Sequence, residues 1–166
     1  MKSNKPNAII FDLDGTLSNC THRMHFVEKS TKDFDSFYSA MEEDTLVEPV
    51  RDMLMIYYSS NYRVIILTGR PECYRGITET WLKKYEIPFF KSYMRPNNKK
   101  STPDMIYKER TIAEISKSFV IKAAVEDRDR VVKMWRDNGI FCFQVKSILV
   151  YMFYFWIFLQ SQGLIC

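Results

Sequence analysis

The chain has 166 residues, 46% of them hydrophobic and 27% charged, which supplies one ordinary domain with a real core and excludes a disordered chain. Its formal charge of +4 admits an anionic partner without requiring one. The four cysteines, Cys20, Cys73, Cys142 and Cys166, form no C-x-x-C pair, which argues against a zinc module or disulfide scaffold and for free thiols in a reducing cytoplasm.

The first residues, MKSNKPNAII, are polar and then strand-like, unlike a secretory leader. A strand is predicted over Ala8 to Phe11, followed by a loop carrying Cys20, Thr21, His22 and Arg23. Helical spacing then covers Phe34 to Glu43, through Phe34, Phe37, Tyr38 and Met41, and a second helix runs from Val50 to Tyr58 after Pro49. Arg63 to Leu67 reads as a fully buried strand ending in Thr68-Gly69-Arg70-Pro71. Pro71 suits the first turn of a helix reaching about Tyr85. A short strand over Pro88 to Met94 and a polar loop, PNNKKS, come next. A helix from Asp104 to Lys117 leads to a third buried strand, Val120 to Val125, closed by Glu126-Asp127-Arg128-Asp129. The last helix passes through Val131, Val132 and Trp135, stops at Asn138-Gly139, and precedes a strand over Ile140 to Val145. Apolar strands alternating with helices describe an α/β protein: a doubly wound, Rossmann-like parallel sheet with helices on both faces.

In that topology three polar clusters follow strand ends: Asp12 with Asp14, Thr68 to Arg70, and Glu126 to Asp129. The C-terminal edge of an open parallel sheet is where ligands bind, so one crevice receives all three. In an extended strand, residues two apart point the same way, which sets Asp12 beside Asp14 and calls for a cation or a shared proton to relieve their repulsion. Hard carboxylate oxygens without a histidine cluster suit Mg2+, which also brings a phosphate dianion up to a carboxylate. An aspartate can serve as a phosphoryl acceptor, and a second carboxylate can move the proton of leaving group and water. Thr68 and Lys108 can hold phosphoryl oxygens.

The set FDLDGT, ILTGR, YKER and VEDRD resembles the four motifs of the haloacid dehalogenase superfamily of phosphohydrolases. That resemblance implies Asp12 as nucleophile, Asp14 as general acid/base, Thr68 and Lys108 at the phosphoryl group, and Mg2+ held by Asp12, Asp127 and the Asp14 backbone carbonyl, with Glu126 in support. DGTLSNCTHR, TGRPE, YMRP, PDMIYKE and VEDRDRVVKMWRDNGIFCFQV are similar to the 3'-phosphatase domain of phage polynucleotide kinase/phosphatase and its stand-alone relatives, over roughly residues 7 to 145. The resemblance adds Arg23, Arg70 (with Gly69 in the same motif) and Asp104 to the site, and Arg95 as a further candidate. It departs at Glu126, where the family usually carries Asp. No G-x-x-x-x-G-K-[ST] loop occurs in the sequence, so the kinase half is absent from this chain.

The expected enzyme is therefore a Mg2+-dependent phosphomonoester hydrolase, acting on a 3'-phosphate of a polynucleotide end or a nucleotide in the cytoplasm, the host's if the chain is of phage origin. A small-molecule nucleotidase shares the same motifs. A phospho-aspartate receiver or an inactive interaction module are the readings from other classes, and Asp14 argues against the receiver. Residues 1–146 form the expected phosphatase domain, with 20–48 as a small helical cap insert. His22 and His25 read as loop or helix-start residues, Trp81 and Trp135 as core. Ile148 to Leu159 is a run of twelve apolar residues, short of the ~20 that a membrane span needs. It leaves a buried element, an oligomer contact, a membrane-surface anchor and an altered reading frame all open.

Overall fold

The apolar runs are joined by helical crossovers, which pair them in parallel and bury both of their faces. The computed structural model describes residues 5–28, 30–99 and 102–146. The apolar run and the rest of segment 147–166 lie outside the described residues, as do Lys100 and Ser101 of the polar loop. The strands are β1 (Asn7–Phe11), β2 (Ser18–Asn19), β3 (Thr45–Leu46), β4 (Arg63–Pro71), β5 (Lys91–Arg95), β6 (Val120–Glu126) and β7 (Phe141–Gln144). The helices are α1 (His25–Glu28), α2 (Phe34–Ser39), α3 (Glu48–Ser59), α4 (Arg75–Lys84), α5 (Asp104–Ser118) and α6 (Asp129–Asp137). The main sheet has the order β5-β4-β1-β6-β7, and every neighbouring pair in it is parallel.

Strand residues alternate between the two faces. Ala8, Ile10, Ile65 and Leu67 pack under α5 and α6, against Tyr107, Ile112, Ile115, Val131, Val132 and Trp135. Ile9, Phe11, Val64 and Ile66 pack under α3 and α4, against Val50, Leu54, Trp81 and Leu82. Trp81 and Trp135 are core, as expected. The doubly wound sheet is thus present, with helices on each face.

Three local expectations are corrected. Pro71 does not open a helix: it is extended, pairs with Arg95, and a 3-10 turn over Glu72–Tyr74 precedes α4. The register of β4 against β5 shifts between Leu67 and Pro71, so the strand continues past its apolar run. The helix from Phe34, capped by Asp33, whose carboxylate accepts from the Ser36 amide at 3.0 Å, ends at Ser39 and tightens into a 3-10 turn over Ala40–Glu43. The strand expected from Pro88 starts only at Lys91.

Residues 20–48 are framed by the antiparallel pair β2–β3, Ser18 with Leu46 and Asn19 with Thr45. Between them α1, α2 and the 3-10 turns enclose a third small core of Phe37, Tyr38 and Met41, packed on Tyr74 and Ile77.

Candidate active site

β1 ends where its neighbours' polar ends begin. The Asp12 amide still donates to Val125 O of β6 at 3.1 Å, and the chain then turns through Gly15. Gly15 has φ +84°, and a β-carbon there would overlap the carboxylate of Asp127. Gly69 meets Asp104 in the same way: a β-carbon would overlap Asp104 Oδ1. Both glycines let carboxylates from other elements approach the backbone.

The side chains of Asp12 and Asp14 do not face each other. The strand has ended before Asp14, and the two carboxylates turn to different partners. Asp12 is buried, at 2% exposure, and its Oδ1 lies 2.8 Å from Lys108 Nζ. The Lys108 ammonium also lies 2.7 Å from Glu126 Oε2 and 3.4 Å from Asp104 Oδ2. Neither Asp12 Oδ1 nor Oδ2 has a hydrogen-bond partner among the described residues. Burial, followed by the charge of Glu126, pushes the Asp12 carboxyl up to about 7, against the pull of Lys108. Burial likewise raises Glu126 and Asp127, the latter helped by the charge of Asp12. For Lys108, burial opposes the charge but Asp104, Asp12 and Glu126 outweigh it and hold the ammonium protonated.

Asp14 faces the opposite wall. Its Oδ1 accepts from Arg23 Nη2 at 2.5 Å and from Arg70 Nε and Nη2 at 3.0 and 2.6 Å. Burial opposes ionisation here too, but Arg70 and Arg23 together hold the carboxyl below the usual carboxylate range. Asp44, fully buried, completes the cluster. Its carboxylate accepts from Arg23 Nε and Nη2 at 2.7 and 2.6 Å, and from Arg70 Nη2 at 3.0 Å. His22, in the 3-10 turn over Thr21–Arg23, has Nε2 3.0 Å from the same carboxylate. The Arg23 guanidinium also sits 4.1 Å from the centroid of the Phe37 ring, and its bond to Asp14 ties the insert to the site.

The remaining expected residues gather here as well. Thr68 is buried, and its hydroxyl accepts from the Arg70 amide at 3.2 Å. Asp104 pairs with Lys108 and with Arg128 Nη2; these two cations outweigh burial and keep its carboxyl low. Arg95, only 8% exposed, donates to Thr102 O and to the Tyr38 hydroxyl, both at 3.0 Å. Residue patterns give no role to Asp44 or Arg128. Arg128 stands inside VEDRD beside Asp127, a signal that was available; Asp44 has none, since only the fold brings it to Asp14.

The carboxylates of Asp12, Glu126 and Asp127 offer oxygens within 4.8 Å of one another. Asp14 is absent from that group because its carboxylate points at the arginines. An all-oxygen donor set with an unpartnered, buried Asp12 Oδ2 fits a hard divalent cation. A cavity of about 580 Å³ opens above, lined by Asp12, Asp14, Gly69, Asp104, Asp127 and Arg128 among others.

Comparison with known proteins gives these observations a context. Residues 6–148 match the family model for the phosphatase domain of polynucleotide kinase PNKP. The chain is 25% identical over 134 residues to a proposed bifunctional polynucleotide kinase/RNA ligase of Autographa californica nuclear polyhedrosis virus, covering 80% of this chain and 18% of that protein. Among solved structures, a chain of the Pnkp1/Rnl/Hen1 RNA repair complex superposes with a TM-score of 0.72 at 34% identity, over 87% of this chain and 44% of that one. The chain thus spans less than half the length of either relative. A class C acid phosphatase from Bacillus anthracis, at 16% identity and TM-score 0.62 over 85% of this chain and 68% of that one, shares the fold.

Proposed function

The chain belongs to the family of polynucleotide kinase PNKP phosphatase domains, within the haloacid dehalogenase superfamily, and from that premise we propose that it removes 3'-phosphate from polynucleotide ends with Mg2+ and an aspartyl-phosphate intermediate. The observation that carries this reading is Asp12. Its buried carboxylate is held by an ion pair from Oδ1 to Lys108, and neither oxygen accepts a hydrogen bond among the described residues, which leaves it free to attack a phosphorus atom.

Asp12, Asp127 and Glu126 would hold the metal, which when bound neutralises the carboxylates and the phosphate dianion. In the first step an Asp12 oxygen attacks phosphorus, the bond to the sugar 3'-oxygen breaks, and that oxygen takes a proton from Asp14. In the second step water attacks the same phosphorus, its proton goes to Asp14, and Asp12 is released with free phosphate. At rest Asp14 is an ionised group between Arg23 and Arg70. It can hold a proton only when a substrate dianion beside it offsets the two guanidinium charges. Lys108, Thr68 and the backbone at Gly69 would face the phosphoryl oxygens.

The test is Mg2+-dependent phosphate release from an oligonucleotide 3'-phosphate, set beside a 5'-phosphate and free 3'- and 5'-nucleotides. Preference for the 3'-phosphorylated end is expected, with Asp12→Asn at background. Preference for free nucleotides moves the function to nucleotide metabolism, and full activity in Asp12→Asn would falsify the mechanism.

A further inference from the structure

The chemistry at Asp12 leaves one part of the cavity without a task, the wall made by α2. Phe34 is 50% exposed there, while the other two rings of that helix, Phe37 and Tyr38, are buried. It lines both the main cavity and a smaller one of about 130 Å³ shared with Asp35, Tyr38, Pro71 and Arg95. Its ring stacks on Tyr38 at 6.4 Å and 21°, and Tyr38 leans on Tyr74 at 5.1 Å. The Tyr74 hydroxyl donates to Asp35 Oδ1 at 3.1 Å, which braces the ring at the far end. The result is a row of three rings with Phe34 half exposed at its cavity end. Beside it stands the Arg95 guanidinium, with both terminal nitrogens bonded and a buried Nε that has no partner among the described residues. A buried donor without an acceptor costs stability unless a ligand supplies one. Lys32, Arg128 and Arg130 add positive charge to the same cavity.

An open π-face beside a buried cation with a spare donor matches one half of a nucleotide each: a flat base and an anionic backbone. We propose that Phe34 and Arg95 form a subsite for the terminal nucleoside of the substrate. The base stacks on the outer face of Phe34, and Arg95 Nε donates to a backbone oxygen. This deepens the reading above and rests on it.

The experiment separates this subsite from the phosphatase reading. An oligonucleotide 3'-phosphate carrying 2-aminopurine as its terminal base is bound to the Asp12→Asn protein, and fluorescence reports stacking without turnover. Quenching is expected, lost in Asp12→Asn/Phe34→Ala and kept in Asp12→Asn/Phe34→Tyr. In the active protein, the ratio of kcat/KM for a normal end over an abasic 3'-phosphate end should fall by about five- to a hundredfold in Phe34→Ala. Quenching indifferent to Phe34, or equal losses on both ends, overturns the subsite and leaves the phosphatase reading intact. Quenching that depends on Phe34 in a protein that releases no phosphate upholds the subsite and removes the phosphatase reading.

Discussion

Asp44 is the buried anion that Arg23 and Arg70 share. It sits at 0% exposure between Arg23 and Arg70, both also at 0%, and these two also grip Asp14. Its own backbone carbonyl accepts from Trp81 Nε1 at 2.8 Å and the Tyr85 hydroxyl at 3.2 Å, which holds it on the α4 side of the site. Removing one partner of a buried ion pair leaves uncompensated charge, so Asp44→Ala should cost about 3–5 kcal/mol, read from urea unfolding. Asp44→Asn keeps the shape and loses the charge. It should stay folded and lose phosphate release by about a hundredfold, since small misplacements of positioned groups have effects of that size. A loss of less than about 1 kcal/mol in Asp44→Ala would show that Arg23 and Arg70 find other partners.

At the scale of elements, the turn after β1 decides how close Asp127 comes to Asp12. The Gly15 amide donates to Ser18 O at 2.9 Å, and the Thr16 and Ser18 amides donate to Leu13 O, which fixes the loop tightly. Gly15→Ala introduces a β-carbon where Asp127 sits and places alanine at φ +84°. The expected cost is about 1–2 kcal/mol from the left-handed backbone, with Mg2+ binding weakened by about tenfold or more in calorimetric titration as Asp127 is displaced. Unchanged metal affinity would place the ion away from Asp127. The strands themselves were legible because burial on both faces writes them as unbroken apolar runs, as in Val64 to Leu67. The start of α4 was not, because Pro71 fits an extended residue as well as a helix start, and only pairing with Arg95 in β5 chose between them.

Stability of the whole molecule should carry the mark of the site. The Asp12 carboxyl is raised from 3.8 to about 7, so folding takes up a proton between these values. That stability is complete below about 4 and is lost as pH rises through about 7. Glu126 and Asp127 are raised too and act in the same direction. Asp14 and Asp104 are lowered, so their contribution is present above about 4 and lost only in stronger acid. In chelator, the melting temperature should therefore fall from pH 5 to pH 8, less steeply in Asp12→Asn. Saturating Mg2+ should flatten the fall by stabilising the charged carboxylates, adding about 2.7 kcal/mol when present at a hundred times its dissociation constant. A melting temperature that rises over that range without metal would contradict the buried-carboxylate account. The residue pattern by itself determined the parallel α/β sheet, the order of its elements and the gathering of Asp12, Asp14, Thr68, Arg70 and Asp127 at one sheet edge, because strand burial and strand ends are local properties of the chain. Only the tertiary structure decided which carboxylate meets which cation, sending Asp12 to Lys108 and Asp14 to Arg23 and Arg70 and calling in Asp44 and Arg128. Electrostatic pairing depends on distances of a few ångströms, and the order β4-β1-β6 and the packing of residues 20–48 against it set those distances.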